Sequence, residues 1–394
     1  GWNVSKVTDM RGMFESASNF NQDLSIWVLG SDVKVKNMFK NATAYYNSGK
    51  PKLIPGQNLS LQITWHETLM KRFSPSARDF LLKKINNLLI KSKDMNESDN
   101  IISFELLSKG GFGIGYKIQT KENKKFFIKL PIENNKHNFS IFKQEYETTT
   151  KFNNHPNIAR VIGGLGFKYN RVYMYVPGWS LSNEDNTHQT LKDTFIIITE
   201  LYDGDILNIP KEWWKNSINL IKFIMTILNC LNELNKQNIS HKDLKSDNIA
   251  YSVIDGVYYF KIIDLGATVE MKDRFHNTDF YYHDNNNSPN YNFNIRTPLF
   301  DAPERSDSKI VTEKYDIYSL GVTILSLLNK NSYNKKELYT SILDSIRFIG
   351  GTETSNNMLK DLIYFMTQSK YSTRPNITSA LKYLVDIIYT LPKD

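Results

Sequence analysis

One cysteine in 394 residues, Cys230, is too few for a disulfide framework or a cysteine-rich zinc site. It lies in an apolar helical run, where a small buried hydrophobe is the reading, and a chain so poor in thiol pairs suits a reducing compartment. No apolar run reaches the eighteen or so residues of a membrane span, and residues 1–50 lack the pattern of a secretory signal. A soluble, intracellular and cytoplasmic protein without membrane contact is therefore expected. The net charge is +8, but the lysines recur singly instead of forming a basic block, so a solvated surface is expected and no nucleic-acid partner. Zinc-ligand spacing, a nucleophile triad and a nucleic-acid module are all missing. Beginning at Gly1, the chain reads as a fragment or a processed product.

What the chain does have is apolar mass: 40% hydrophobic and 13% aromatic residues, with 22 Tyr and 22 Phe, enough for more than one core. Within residues 1–50, Trp2, Met13, Phe14, Ala17 and Phe20 return 25 positions later as Trp27, Met38, Phe39, Ala42 and Tyr45. A fixed period of this size is the signature of a stacked repeat. Residues 51–100 read as a linker with one helix: Pro51, Pro55, Gly56 and Pro75 punctuate it, and Leu81, Ile85, Leu88 and Leu89 keep helical spacing from Ser76 onward.

From 101 to 394 strands precede helices. Strands are expected over 101–109, 115–120 and 125–130 as a meander, a helix over 139–152, and an inserted hairpin and loop over 170–192. An apolar strand over 194–200 and a long buried helix from Ser217 follow. Asp255-Gly256 places a tight hairpin turn within 251–263, and further helices are expected over 315–328, 358–366 and 377–391. This order predicts an α+β chain with two lobes, an antiparallel sheet plus one helix followed by a mainly helical lobe.

The densest cluster of polar chemistry is Ile239-Ser-His-Lys-Asp-Leu-Lys-Ser-Asp-Asn-Ile249, directly after the long helix. His241-Lys242-Asp243, followed by Asn248, resembles the His-Arg-Asp…Asn catalytic loop of eukaryotic-type protein kinases. Sixteen residues past Asn248, Asp264-Leu265-Gly266 is similar to that family's Asp-Phe-Gly. The segment from Thr297 to Ala302-Pro303-Glu304 resembles the close of an activation segment. Upstream, Leu107-Ser-Lys-Gly110-Gly-Phe-Gly113-Ile-Gly115 resembles the glycine-rich loop, with Lys129 sixteen residues after Gly113 and Glu145 sixteen further on. The first fifty residues resemble leucine-rich-like tandem repeats of bacterial surface proteins.

The kinase resemblance covers about 101–391 and implies ATP and Mg2+ as cofactors and a protein as substrate. It implies Asp243 as the base that orients the substrate hydroxyl, Lys245 as the cation on the moving phosphate, and Asn248 and Asp264 as metal ligands. Leu107, Gly110, Gly113 and Gly115 would cover the nucleotide, and Lys129, paired to Glu145, would align its phosphates. Glu147 lies near enough to compete for that pairing. With Thr199 as gatekeeper, Glu200 and Tyr202 would read adenine through the backbone. Asp205 would take the ribose hydroxyls, although a turn carboxylate fits its position equally. Asp316 would hold the catalytic-loop backbone and Arg374 would pair with Glu304. Lys245 and Thr297 favour serine/threonine over tyrosine as acceptor. A pseudokinase that binds without turnover, and a recognition protein or scaffold working through the repeats and a protein partner, are the alternatives.

Three positions depart from the pattern. Ser108 replaces the first glycine of the loop, Gly115 stands where valine is usual, and Phe127 stands in place of the alanine two residues before Lys129. The expectation is that the Phe127 ring fills the volume vacated at 115, conserving packing.

Overall fold

The computed structural model describes residues 7–20, 22, 34, 36–42, 66–109, 113–168, 171–178, 182–185, 188–270, 273–274, 280–281, 299–305, 312–329 and 338–392. Trp2, Trp27, Tyr45, Gly110, Thr297 and the punctuated stretch 51–65 lie outside them. The chain divides into two compact units, Gly1–Asn134 with Phe167–Ile198 and Asn135–Gly166 with Thr199–Asp394.

In the first unit the repeat is a stack of two coils. Met10, Gly12, Phe14 and Ser16 donate their amides to the carbonyls of Lys34, Lys36, Met38 and Lys40, each 24 residues on. Asp9 and Lys34 form a parallel bridge, and the Phe14 and Phe39 rings stack at 5.4 Å. The side-chain echo at 25 residues thus lines up from one coil to the next.

Two helices follow where the sequence suggested one. The first, α1 (Glu67–Arg72), is capped by His66, whose Nδ1 accepts from the Thr68 amide at 3.3 Å. The second, α2 (Pro75–Lys91), has the favoured pairing of a Ser cap with Pro at its first position, and buries Ala77, Leu81, Ile85, Leu88 and Leu89. The meander then runs β1 (Ile101–Lys109), β2 (Gly113–Thr120) and β3 (Lys125–Pro131). In a seven-stranded sheet, β1, β2, β3 and a later strand, β7 (Thr194–Glu200), lie side by side. The expected inserted hairpin is present as β5 (Arg171–Tyr175) paired with β6 (Ser182–Asp185).

Strand alternation divides this sheet chemically. Ile114, Tyr116 and Ile118 of β2 and Phe126, Ile128 and Leu130 of β3 are all buried. Gly115 and Lys117, and Phe127 and Lys129, point to the opposite face, with Gly115 facing Lys129 in the ladder. The Tyr116 hydroxyl bonds the Thr68 hydroxyl at 2.7 Å, which puts the helix pair on the apolar face.

The second unit begins with α3 (Lys136–Thr150), three residues earlier than expected because Asn135 caps it by accepting from the Asn138 amide at 2.7 Å. β4 (Val161–Lys168), not expected from sequence, and β7 (Thr194–Glu200) run across the division between the units. After β8 (Gly204–Asp205) and a short α4 (Lys211–Lys215), α5 (Ser217–Lys236) buries Leu220, Ile224, Ile227, Leu228, Leu231 and Leu234. Each large apolar side chain buried there contributes about 1.5–3 kcal/mol. Cys230 belongs to this core; its Sγ donates to the Asn157 carbonyl, and burial pushes the thiol up to about 12. It is packing, as expected.

The polar stretch after α5 opens with β9 (Ile239–Ser240) and closes into the hairpin of β10 (Ile249–Ile254) and β11 (Val257–Ile262). Asp255 and Gly256, both at positive φ, make its turn. After three two-residue strands, Val269–Glu270, Asp273–Arg274 and Phe280–Tyr281, come the helices α6 (Glu313–Leu328), α7 (Leu338–Ser345), α8 (Glu353–Met366) and α9 (Ile377–Tyr389). The α+β order is the one expected.

Candidate active site

The loop after α5 is held from beneath. Asp316, buried on α6, accepts from the Ser240 hydroxyl at 2.9 Å and the His241 amide at 2.8 Å through Oδ2, and from the Lys242 amide at 2.9 Å through Oδ1. Three donors on one carboxylate hold a backbone that Lys242 enters at φ 65°, a conformation costly for a side chain with a Cβ. Lys242 is itself buried, its ammonium 5.4 Å from the centre of the Tyr315 ring. His241 is fully buried, and its Nδ1 accepts from the Asp243 amide at 3.3 Å. Burial lowers its pKa, and a proton on Nδ1 would break that bond, so the ring is neutral with its hydrogen on Nε2.

This brace presents Asp243, which is 8% exposed. Its Oδ2 accepts from Lys245 Nζ at 2.8 Å and from Asn248 Nδ2 at 3.1 Å. The same Asn248 nitrogen also donates to the Asp243 carbonyl at 2.7 Å, which leaves the amide oxygen as the atom with lone pairs to offer. The Ile263 amide donates to the Asn248 carbonyl at 3.1 Å, joining the loop to the strand that leads to Asp264. Asp264 Oδ1 accepts from the Gly266 amide at 2.8 Å.

Glu145 of α3 is buried against that turn. A Cβ added to Gly266 would lie 2.8 Å from Glu145 Oε2 and 2.9 Å from Asp264 Oδ1, so glycine is what lets the two carboxylates approach. Glu147, the competing residue, is exposed and pairs with Lys143.

Thr199, Glu200 and Tyr202 lie where β7 ends, and their side chains are engaged locally. Arg160, which the sequence did not single out, accepts from the Glu200 amide at 3.3 Å through its carbonyl and donates from its guanidinium to Glu200 Oε1 at 3.2 Å. The Tyr202 hydroxyl accepts from the Arg160 amide at 3.2 Å and donates to Glu200 Oε2 at 3.3 Å. Thr199 donates to the Glu200 carbonyl at 3.0 Å. Asp205 caps a short turn, accepting from the Leu207 amide at 2.9 Å, and burial raises its pKa, with Asp247 adding to the shift. The turn role is thus the one its hydrogen bond displays.

On the sheet, Gly113 opens β2 and Leu107 is exposed near the end of β1. Gly115 is hemmed in: a Cβ there would lie 2.5 Å from Phe127 Cε2 and Cζ, and closer still to Ser108 Oγ. The Phe127 ring does occupy the volume beside residue 115, and Ser108 shares it. Lys129 shares their face of the sheet.

Farther along, Arg374 donates from both terminal nitrogens to the Glu304 carboxylate, with Nη1 to Oε1 at 2.8 Å. It is 2% exposed and also donates to the carbonyls of Gln368 and Lys314. A bidentate buried pair of this kind fixes the end of the segment that begins at Asp264.

Comparison with known proteins agrees with the geometry. Residues 102–385 match the protein kinase domain family, and residues 1–52 match a family described as a Mycoplasma protein of unknown function. A probable serine/threonine-protein kinase of Dictyostelium discoideum is 23% identical over 299 residues, 73% of this chain and 34% of the relative. U-box domain-containing protein 33 of Arabidopsis thaliana is 28% identical over 227 residues, 56% of this chain and 22% of that protein. Calcium-dependent protein kinase 6 of Plasmodium berghei is 24% identical over 333 residues, 80% of this chain and 19% of that one. The chain spans about a third or less of the length of each of these relatives. With the family match covering well over half of its residues, this chain belongs to the protein kinase family.

Proposed function

We propose that this chain transfers the γ-phosphate of MgATP to serine or threonine hydroxyls of a protein substrate. The observation that carries the proposal is the braced Asp243 carboxylate, fixed by Lys245 and Asn248 on a loop that Asp316 holds rigid. In this reading Asp243 orients the acceptor hydroxyl and takes its proton, and Lys245 neutralises charge on the transferred group. Lys129, aligned by Glu145, positions the nucleotide phosphates; Gly113, Gly115 and Leu107 cover it, as would Gly110. The backbone of Glu200 and Tyr202 reads the base, and Asp205 contacts the ribose.

The donors suit Mg2+: the Asn248 amide oxygen and the Asp264 carboxylate are hard oxygens, and the ion takes one or two such protein ligands plus phosphate. Held there, it would offset the negative charge that develops on the transferred phosphate. Serine or threonine is favoured over tyrosine by Lys245, two residues beyond the catalytic aspartate, and by the names of relatives. The two-coil repeat is proposed as a surface for a protein partner. Among the described residues no helix is long and apolar enough to cross a membrane, and an intracellular, cytoplasmic setting belongs to the same reading.

The test is transfer of labelled phosphate to a general protein substrate, followed by acid hydrolysis and separation of phosphoamino acids. Label on serine or threonine, abolished by chelating Mg2+, is expected; label on tyrosine alone, or none from active-site-intact protein, would refute the reading.

A further inference from the structure

The helix pair lies ahead of the family match, which begins at residue 102, yet it is tied into the sheet, by the Thr68 and Tyr116 hydroxyls and, at the end of β3, by Arg72. Arg72, the last residue of α1, is half-buried beside Phe73, with its guanidinium carbon 5.1 Å from that ring's centre. Nη1 donates to the Pro131 carbonyl at 2.5 Å, and Nη2 donates to Asn134 Oδ1. Asn134 in turn donates from Nδ2 to the Thr190 carbonyl at 2.7 Å.

Each anchor sits at the end of an element that the kinase reading uses. Pro131 closes β3, two residues past Lys129, and in the ladder it faces Gly113, the first residue of β2. Thr190 lies in the short turn Gln189–Leu191 that feeds β7, the neighbour of β3. The planar guanidinium fork offers two donors in fixed relation, so one residue sets the spacing of two chain ends. The apolar sheet face explains why a cover is needed at all: Ile114, Tyr116, Ile118, Phe126, Ile128 and Leu130 would otherwise stand in water. Burial by α2 accounts for stability. It does not require an arginine aimed at the end of the Lys129 strand.

We propose that α1 and α2 are a working part of the nucleotide site, and that Arg72 is a positioning residue which fixes the end of β3, and through it Lys129, by way of Pro131 and Asn134. Movement of α1 would then loosen the nucleotide site without any change to a residue that touches the nucleotide. The turnover arm of the test rests on the kinase reading; the exchange arm does not.

In the full chain, Arg72→Ala is expected to raise KM for MgATP on the order of tenfold while kcat stays within about threefold. Arg72→Lys, which keeps a donor but loses the fork, should fall between Arg72→Ala and the parent chain. Leu81→Ala, which removes a buried side chain of α2 and leaves the hydrogen bonds of Arg72 to Pro131 and Asn134 in place, serves as the stability control. Hydrogen exchange, which needs no turnover, should show faster amide exchange over residues 125–135 in Arg72→Ala than in Leu81→Ala. An equal rise in KM for Leu81→Ala and Arg72→Ala, or unchanged exchange over 125–135 in Arg72→Ala, would overturn the proposal. If the parent chain shows no transfer at all, the kinase reading fails while the exchange comparison still decides the role of Arg72.

Discussion

The Gly115 and Phe127 pair offers the sharpest quantitative test of how the sheet is packed. A valine at 115, the residue usual in the family, would put its Cβ 2.5 Å from two ring carbons of Phe127 and against Ser108 Oγ. Carbon atoms rest at about 3.5–4.0 Å, so the ring must move by about 1 Å or more. Overpacking of this kind costs about 1–3 kcal/mol, and we take about 2 kcal/mol for Gly115→Val. Phe127→Ala removes the ring and leaves a partly filled gap, with Ser108 Oγ the remaining neighbour, which a turn about its χ1 takes out of the way; the ring is half-buried, so its loss costs less than the roughly 3–5 kcal/mol of a fully buried phenylalanine. In the double variant the valine should enter that gap, and the cost of Gly115→Val should fall to about zero, a coupling of about 2 kcal/mol. Urea denaturation of the four chains gives the cycle directly. Equal cost of Gly115→Val in both backgrounds would refute the reasoning. MgATP titration of Phe127→Ala adds a functional check: weaker binding supports the ring as a replacement roof, and tighter binding would mean that it obstructs the site.

Two further outcomes follow from the braced loop. The His241 pKa is lowered by burial, so as pH falls through the unfolded value near 6.5 the unfolded chain takes up a proton that the folded chain refuses. Stability from this group is thus complete above about 6.5 and declines below it, by at most about 1.4 kcal/mol per pH unit, until the folded value is reached. His241→Asn should flatten that slope in urea unfolding measured from pH 7.5 to 5, and an unchanged slope would contradict it. Asp316→Asn replaces one of two acceptor oxygens with a donor facing buried amides; a loss of at least about 3 kcal/mol in unfolding free energy is expected, and less than about 1 kcal/mol would show that the brace is not needed.

The parts of the site that were legible in the sequence are those encoded by short spacing. His241, Asp243, Asn248 and Asp264 lie in a loop and a following hairpin whose geometry is local, so residue type and separation carried the information. Counting back from His155-Pro156-Asn157-Ile158 favours Glu145 over Glu147, and helical phase agrees: Glu145 falls four residues after Ile141 and three after Phe142, both buried, whereas Glu147 turns outward. Arg160 and Arg72 gave no local sign, because each works by meeting residues about 40 and 60 positions away. A sign of the helix pair was present but indirect: a sheet apolar on the face away from Lys129 must be covered by something. α1 itself was obscured by its shortness and by the nearby prolines, one of which, Pro75, opens α2 instead of ending a linker.

The most direct measurement compares the initial rate of phosphate transfer from MgATP by the parent chain with that of Asp243→Asn, alongside equilibrium binding of MgATP to both. The account predicts a rate lower by about a thousandfold with the nucleotide dissociation constant changed less than about threefold, since the aspartate acts on the acceptor hydroxyl and not on the nucleotide. Equal rates in the two chains would contradict it.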